Sequence, residues 1–358
     1  MSYSPEEAQG YIESILQSMV DNNFSDAFLH QSELPRIRNQ GTLMPLEMSP
    51  CSNAIFQQLA ILANIEHWNP NETYDRGITN QQGHRFRLSL FHQLGGPAAV
   101  VRKLNTHIPN LEELRLPFEM LHSWVDRSAG LILIAGPPGS GKSTTCASML
   151  DWLNDASKKH IVCIEDPAEF LHANRSCLFT HREVGHDTPS FAKGMEQALR
   201  QSPDIIFLGE IRDTDTARAT LHAAETGHLV IATLHGSSTT EGLERFIQIF
   251  NESERDSVRL ILSGSLVGIL FQKLLAGTDG QHIPATEYFE NQGLIRRLIR
   301  ENRINELRDF IQDKTQDHQS SFLQNLVDLA KNGWITEETA RQNLSNPQDF
   351  QRAMKGIR

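Results

Sequence analysis

The segment at 131–145, LILIAGPPGSGKSTT, constrains the fold of this chain more than any other. Five apolar residues at 131–135 predict a short buried strand of a parallel sheet, and a glycine-rich turn then leads into a predicted helix. The turn contains the phosphate-loop pattern G-x-x-x-x-G-K-[ST], with its fixed positions at Gly136, Gly141, Lys142 and Ser143. Strand, loop and helix in this order predict an α/β domain that binds the phosphates of a nucleoside triphosphate.

The predicted nucleotide contacts follow from the chemistry of this loop. Glycine lets successive backbone N–H groups turn toward phosphate oxygens, and the helix N-terminus adds its positive dipole end. We expect Lys142 to reach the β- and γ-phosphates and the Ser143 hydroxyl to bind Mg²⁺. The predicted cofactor-binding residues are Gly136, Pro137, Pro138, Gly139, Ser140, Gly141, Lys142, Ser143 and Thr144.

Composition narrows the class of protein. A chain of 358 residues is long enough for two domains, and its formal net charge of −11 argues against a dedicated nucleic-acid binder. No apolar stretch reaches the roughly 18 residues of a membrane span, and the acidic N-terminus does not resemble a signal peptide. The cysteines lack C-x-x-C spacing, so we expect buried free thiols in the cytoplasm. They are Cys51, Cys146, Cys163 and Cys177.

The first hundred residues predict a small α+β domain at 1–104. Ser4 can cap a helix with Pro5 at its first position and Glu7 completing a capping box, and apolar residues then recur at helical spacing. A second helix is predicted at 53–64. Strand-like segments lie at 27–30, 35–38 and 85–91.

A polar, proline-containing segment at 105–110, NTHIPN, is the predicted linker to a second domain at 111–358. Strands are predicted at 160–164, 204–209 and 228–233, with helices at 111–128, 190–201 and 214–226. This alternation is typical of a parallel sheet covered by helices. The last hundred residues read as mostly helical, over 252–275 and 294–344.

Polar residues follow each predicted strand, where ligands of an open parallel sheet bind. Glu210, directly after DIIFLG, is the candidate to hold the Mg²⁺ shell or to orient the attacking water. Glu165 and Asp166 follow HIVCI, and the residues alone do not decide which of them supplies a second carboxylate. His235 follows the strand at 228–233 and could hydrogen-bond to the γ-phosphate.

Basic residues of the first domain offer a second kind of catalytic group. Arg85 and Arg87 alternate along one predicted strand and so share a face, and Arg102 follows in the next segment. Read alone, they are either exposed charges on a strand or arginine fingers that meet the charge developing on the γ-phosphoryl group.

Four blocks in order resemble the secretion ATPase superfamily of type II secretion and type IV pilus motors, across about 26–311. In that family they are the Walker A motif, Asp box, Walker B motif and His box. The resemblance implies a small N-terminal α+β, PAS-like domain, a RecA-like P-loop NTPase core with a helical C-terminal extension, and a hexamer that uses ATP and Mg²⁺. It also implies that Arg85, Arg87 and possibly Arg102 are brought to the nucleotide, and that Glu210, Glu165 and His235 are catalytic. The blocks are GPPGSGKSTT (136–145), IEDPAEF (164–170), SPDIIFLGEIRD (202–213) and AAETGHLVIATLHGSS (223–238).

Within the superfamily the chain looks most similar to PilT-type pilus retraction ATPases. It lacks a tetracysteine module, and LIRRLIRE at 294–301 resembles the AIRNLIRE motif of those enzymes, with Leu294 and Arg297 as departures. The sequence HGSS at 235–238 also departs from the usual His box. The resemblance implies a cytoplasmic retraction motor, peripheral at the inner membrane, whose partners are a membrane platform protein and other pilus ATPases.

Other functions stay open from the sequence. They are a PilU-like accessory, a type IVB or type II secretion assembly ATPase, a RecA-type nucleic-acid motor and a hexameric scaffold that hydrolyses ATP poorly.

Overall fold

The computed structural model describes residues 3–104, 107–312 and 318–356. The chain divides into two compact units. The first comprises Met1–His107 with the short segments Asp166–Leu171 and Glu183–Asp187. The second comprises Ile108–Glu165, His172–Arg182 and Thr188–Arg358. Asn105 and Thr106, with which the predicted linker begins, lie outside the described residues.

The first unit is an antiparallel sheet with two helices. Its strands are ordered β3-β2-β1-β6-β5-β4. The predicted capping box is present, since Ser4 and Glu7 each accept the other's backbone N–H at the start of the first helix. The elements are α1 (Pro5–Asp21), β1 (Asp26–His30), β2 (Arg36–Asn39), β3 (Thr42–Pro45), α2 (Asn53–Leu62), β4 (Tyr74–Thr79), β5 (Arg85–Gln93) and β6 (Gly96–Lys103).

Alternation along β5 separates the core of the first unit from a polar face. Phe86, Leu88 and Leu90 are fully buried in one cluster with the apolar residues of α1 and α2. Arg85 and Arg87 alternate with these buried residues, so they share the opposite face, as the sequence predicts. In the sheet, Arg102 of β6 pairs directly with Arg87.

The second unit contains a mixed sheet with helices around it. The strand order is β14-β13-β12-β7-β11-β10-β8-β9. Strands β12, β7, β11, β10 and β8 run parallel, whereas β13 is antiparallel to both β12 and β14. The elements after β6 are α3 (Phe118–Val125), β7 (Gly130–Ala135), α4 (Lys142–Ala156), β8 (His160–Glu165), β9 (Leu178–Glu183), α5 (Phe191–Ala198), β10 (Ile205–Leu208), α6 (Thr214–Glu225), β11 (Leu229–Leu234), α7 (Thr239–Gln248), a 3₁₀ turn (Glu252–Glu254), α8 (Arg255–Ser265), β12 (Leu266–Ala276), β13 (His282–Glu290), α9 (Gly293–Arg300), α10 (Ile304–Gln312), β14 (Gln319–Ser320), α11 (Phe322–Lys331), α12 (Glu337–Gln342) and α13 (Pro347–Met354).

Strand β7 lies inside this sheet and is buried along its whole length. It pairs with β11 on one side and with β12 on the other. Ile132 and Ile134 share a cluster with Cys146, Met149 and Leu150 of α4. The α/β class is therefore confirmed, and the phosphate loop leaves the carboxyl end of an interior strand.

Two helix predictions are wrong. Within the predicted helix at 111–128, only α3 is helical, because 111–115 form turns and Pro117 precedes the helix. The predicted helix at 252–275 ends at Ser265, and the next residues form β12. This segment, LVGILFQKLLA, is rich in leucine, so its local preference does not exclude helix. Pairing with both β7 and β13 determines that it is a strand.

The expectation of buried, free cysteines is confirmed. All four cysteines are buried and free. No helix among the described residues is long and apolar enough to cross a membrane.

Candidate nucleotide site

The loop between β7 and α4 has a backbone that requires glycine at several positions. Gly139 and Gly141 have φ angles of +74° and +85°, in the left-handed region that strains other residues. A Cβ at Gly136 would overlap the Gln272 carbonyl oxygen and the Ser140 hydroxyl. The loop ends at the N-terminus of α4, where backbone N–H groups lack partners within the helix. Backbone N–H groups at such a helix start can bind an anion, so this geometry is compatible with the predicted phosphate site.

Polar groups of the loop fit a bound triphosphate. Lys142 Nζ donates to the carbonyl oxygens of Gly136 and Pro137 at 2.9 and 3.0 Å, so its ammonium lies over the loop. Ser143 is partly exposed in the first turn of α4. Ser140 is 2% exposed, and its hydroxyl has no hydrogen-bond partner among the described residues.

Gln272 of β12 fixes the loop, and sequence reasoning missed it. Its Nε2 donates to the Ser140 carbonyl oxygen at 2.7 Å, and its Oε1 accepts from the Thr145 hydroxyl at 2.7 Å. The residue is 2% exposed, so both bonds lie away from water. The available signal is a glutamine within an apolar segment, but the sequence predicts helix for that segment.

Glu210 and His235 meet at the carboxyl ends of adjacent strands. His235 Nε2 lies 2.8 Å from Glu210 Oε1, while Nδ1 lies 3.4 Å from the carbonyl oxygen of Gly136. Arg212 Nε donates to Glu210 Oε2 at 2.7 Å. Both carboxylate oxygens are therefore engaged, and the histidine lies between Glu210 and the phosphate loop.

Glu165 ends β8 and is buried, with 7% of its surface exposed. His181 Nε2 accepts the backbone N–H of His172 at 3.2 Å, so in the neutral ring the hydrogen is on Nδ1, which lies 3.9 Å from Glu165 Oε1. Cys163 belongs to the same cluster, in which one ligand atom of each residue lies within 4.8 Å of the others. At 3.9 Å, His181 Nδ1 is too far from Glu165 Oε1 for a hydrogen bond, so the two groups are close neighbours without a direct bond. Asp166 belongs to the first unit.

Burial keeps the neighbouring thiols protonated. It raises the pKa of Cys146 and of Cys163, and the Glu165 carboxylate raises both further. The Lys142 ammonium acts in the opposite direction on Cys146. These opposing effects are consistent with a carboxylate and an ammonium close to the buried start of α4.

A cavity of about 210 Å³ lies beside the first turn of α4. Its apolar lining comes from Leu114, Leu116, Leu274 and Ile283, and Gly141, Thr144 and Thr145 border it on the loop side. Arg115 also lines it, with Cζ 4.9 Å from the ring of Trp334 and Nη2 3.5 Å from Asp279 Oδ2. No local sequence pattern indicates this cavity, because its walls come from segments that are distant in the chain.

The predicted arginines lie in the first unit, each beside a carboxylate. Arg85 forms an ion pair with Glu183. Arg87 lies 3.8 Å from Asp75, and Arg102 donates to Asp26 at 2.7 Å. Arg87 and Arg102 are 42% and 65% exposed, whereas Arg85 is 11% exposed. Their role at a nucleotide stays a prediction.

Similarity to known proteins extends over nearly the whole chain. Residues 5–316 match the family described as Type II/IV secretion system protein. The chain is 34% identical over 348 residues to the type IV pilus ATPase PilU of Pseudomonas aeruginosa, covering 96% of this chain and 91% of that one. It is 34% identical over 345 residues to the type IV pilus retraction ATPase PilT of the same organism, covering 95% and 99%. The crystal structure of the pilus retraction motor PilT with bound ADP matches with a TM-score of 0.86 and 35% identity, covering 95% and 99%.

Proposed function

Because this chain belongs to the type II/IV secretion system protein family, we propose that it is an ATPase that drives the retraction of a type IV pilus. The observation that carries the proposal is the end-to-end similarity to the PilT retraction ATPase of Pseudomonas aeruginosa. The site adds independent support, since a phosphate loop, a Walker B carboxylate and a histidine meet at one edge of the sheet.

The loop would hold ATP by its backbone and three side chains. Its N–H groups and Lys142 would bind the phosphates, and the Ser140 hydroxyl is an additional donor. The Ser143 hydroxyl and the Glu210 carboxylate are oxygen donors of the kind that Mg²⁺ binds in proteins, and they are the proposed metal residues. Mg²⁺ would neutralise charge on the phosphates when bound.

The carboxylates would act on the attacking water. Glu210 is the proposed residue that orients the water. Its carboxylate is fixed in place, because His235 contacts Oε1 and Arg212 donates to Oε2. Glu165 is the proposed second carboxylate, and its Oε1 lies 3.9 Å from His181 Nδ1. His235 would transmit a change at the loop to Glu210, because it contacts both.

The apolar cavity beside α4 is the proposed site of the nucleobase. It borders Thr144 and Thr145, directly after the residues that would bind phosphate, and its leucines can pack against a flat ring. Arg115, Trp334 and Asp279 would fix the wall of this cavity.

The proposal also covers the folds of the two units and the assembly of the chain into a hexamer. We infer a RecA-like core in the second unit, a PAS-like fold in the first and a homohexamer, with residues 105–110 as a hinge. Arg87 and Arg102 are proposed to approach the nucleotide in the hexamer. The motor would work in the cytoplasm at the inner membrane, on a platform protein of the pilus.

Imaging of labelled pili in living cells tests the proposal. We expect a strain whose gene carries Lys142→Ala to extend pili that do not retract, because the loop lysine is lost. The matched control is Lys158→Ala, an exposed lysine after α4, which should retract normally. Retraction at the normal frequency in the Lys142→Ala strain would contradict the proposal.

The similarity to PilU favours one second function, that of an accessory pilus ATPase. In that case deletion of the gene would leave unloaded pili retracting, whereas retraction against a load would weaken. A strain in which the gene is deleted distinguishes the two functions, when retraction is compared with and without an opposing force.

A further inference from the structure

Arg85 has a buried partner inside the first unit. Its guanidinium forms an ion pair with Glu183, and the two side chains are only 11% and 14% exposed. Arg87, two residues along the same strand, has a partner 3.8 Å away and is 42% exposed. An exposed pair exchanges with water readily, whereas a buried one holds its members in place.

Together, Arg85 and Glu183 hold both peptide groups of Ala168. Arg85 Nη2 donates to the Ala168 carbonyl oxygen at 3.5 Å, and the Ala168 N–H donates to Glu183 Oε1 at 3.3 Å. Ala168 is 1% exposed and lies three residues after Glu165 in the chain. The pair therefore fixes the loop that continues directly from the second carboxylate.

The residues around the Arg85–Glu183 ion pair leave room for it and anchor it. A Cβ at Gly77 of β4 would overlap the Arg85 guanidinium and would lie 2.7 Å from Glu183 Oε1, so glycine leaves the space that the pair occupies. Glu183 is anchored in its own turn, because its N–H donates to Asp187 Oδ2 at 2.9 Å and Asp187 N–H returns a bond to its carbonyl oxygen. A fixed anchor and a fitted space indicate a permanent structural link.

We propose that Arg85 is a positioning residue, which holds the Asp-box loop (166–171) through Glu183 and thereby orients Glu165, rather than a residue that contacts the γ-phosphate. The inference rests on the proposed ATPase function. It separates Arg85 from Arg87 and Arg102, whose more exposed side chains are the proposed nucleotide contacts. Loss of a supporting residue of this kind usually lowers activity roughly 10- to 100-fold, whereas loss of an arginine finger lowers kcat about 10³- to 10⁵-fold.

ATP turnover by the full-length protein tests the inference with Arg85→Met, Glu183→Gln and Gly77→Ala. Gly77→Ala keeps both charged residues, but its added methyl group occupies the space in which they meet. We expect all three to lower kcat by roughly 10- to 100-fold with KM for ATP changed less than about threefold. Arg36→Met, an exposed arginine of β2 in the same unit, is the matched control and should turn over like the wild type.

Hydrogen exchange, measured without nucleotide, tests the inference independently of turnover, which matters if a variant is unstable. We expect faster exchange in the peptide around Ala168 in Arg85→Met and Gly77→Ala, and unchanged exchange in Arg36→Met. The inference would be overturned if Arg85→Met lowered kcat more than about 10³-fold while Glu183→Gln and Gly77→Ala stayed active and exchange around Ala168 did not change. That result would show that Arg85 contacts the γ-phosphate. A wild type without turnover would instead contradict the ATPase proposal.

Discussion

Replacement of Gln272 by leucine tests how the phosphate loop is held. The variant keeps the approximate size of the side chain and its place in β12, but it removes one donor and one acceptor. The Ser140 carbonyl oxygen and the Thr145 hydroxyl then lose partners that lie at 2.7 Å in the native site.

The expected cost follows from burial. A buried polar group left without a partner costs about 1–3 kcal/mol, and Gln272 serves two such groups. The Thr145 hydroxyl can rotate to the Gly141 carbonyl oxygen in its own helix, so we expect a total of about 2–4 kcal/mol. For a chain of 358 residues, that lowers the melting temperature by roughly 3–5 °C.

Thermal unfolding and nucleotide binding check this prediction together. Gln272→Leu should lower the melting temperature and also weaken ATP binding, because the loop that it fixes is the phosphate site. Gln351→Leu, an exposed glutamine of α13, is the control and should change neither. A Gln272→Leu protein that melts and binds ATP like the wild type would refute the reasoning.

Three further predictions address the site and its stability. Lys142→Ala and Glu210→Ala should each abolish turnover, measured as phosphate release, because they remove the proposed phosphate ligand and the proposed water-orienting carboxylate. Burial lowers the pKa of His172 to about 4, below an unfolded value of about 6.5, so the unfolded chain gains the proton first as pH falls. Stability is therefore lost as pH falls from about 6.5 toward 4, by about 2 kcal/mol between pH 7 and pH 5, and His172→Leu should flatten this loss in melting experiments. Trp334→Ala should raise the Kd for ATP by about two- to fivefold, because the contact with Arg115 is worth about 0.5–1 kcal/mol, and leave the Kd for tripolyphosphate unchanged.

Each of these has a result that would contradict it. Full turnover in Glu210→Ala would remove this residue from the Walker B role. An acid profile in His172→Leu parallel to that of the wild type would mean that another group causes the loss. Equal weakening of ATP and tripolyphosphate binding in Trp334→Ala would place the effect at the phosphates rather than at the base.

Local sequence signals predicted the parts of the site that lie close together in the chain. The phosphate loop carries its own pattern, and the ends of three parallel strands indicated Glu165, Glu210 and His235. The contact between Glu210 and His235 needs only that their strands be neighbours, and β10 and β11 do pair. A general rule for parallel sheets was sufficient there.

Long-range pairing determined what the sequence could not supply. Residues 266–276 have no strong local preference for strand, and they form β12 because β7 and β13 pair with them on either side. The bonds from Gln272 to the phosphate loop depend on this order of strands, and so does the cavity wall at Leu274. The link from Arg85 to Glu183 joins residues 98 positions apart, at a place where Gly77 leaves room. No local pattern encodes such contacts.

Phosphate release by the purified wild-type protein, with ATP in the presence and absence of Mg²⁺, is the most direct test of the account, with the mass of the ATP-bound particle measured alongside. We predict magnesium-dependent hydrolysis by a particle of six chains. Tight ATP binding with no phosphate release in the presence of Mg²⁺ would contradict it.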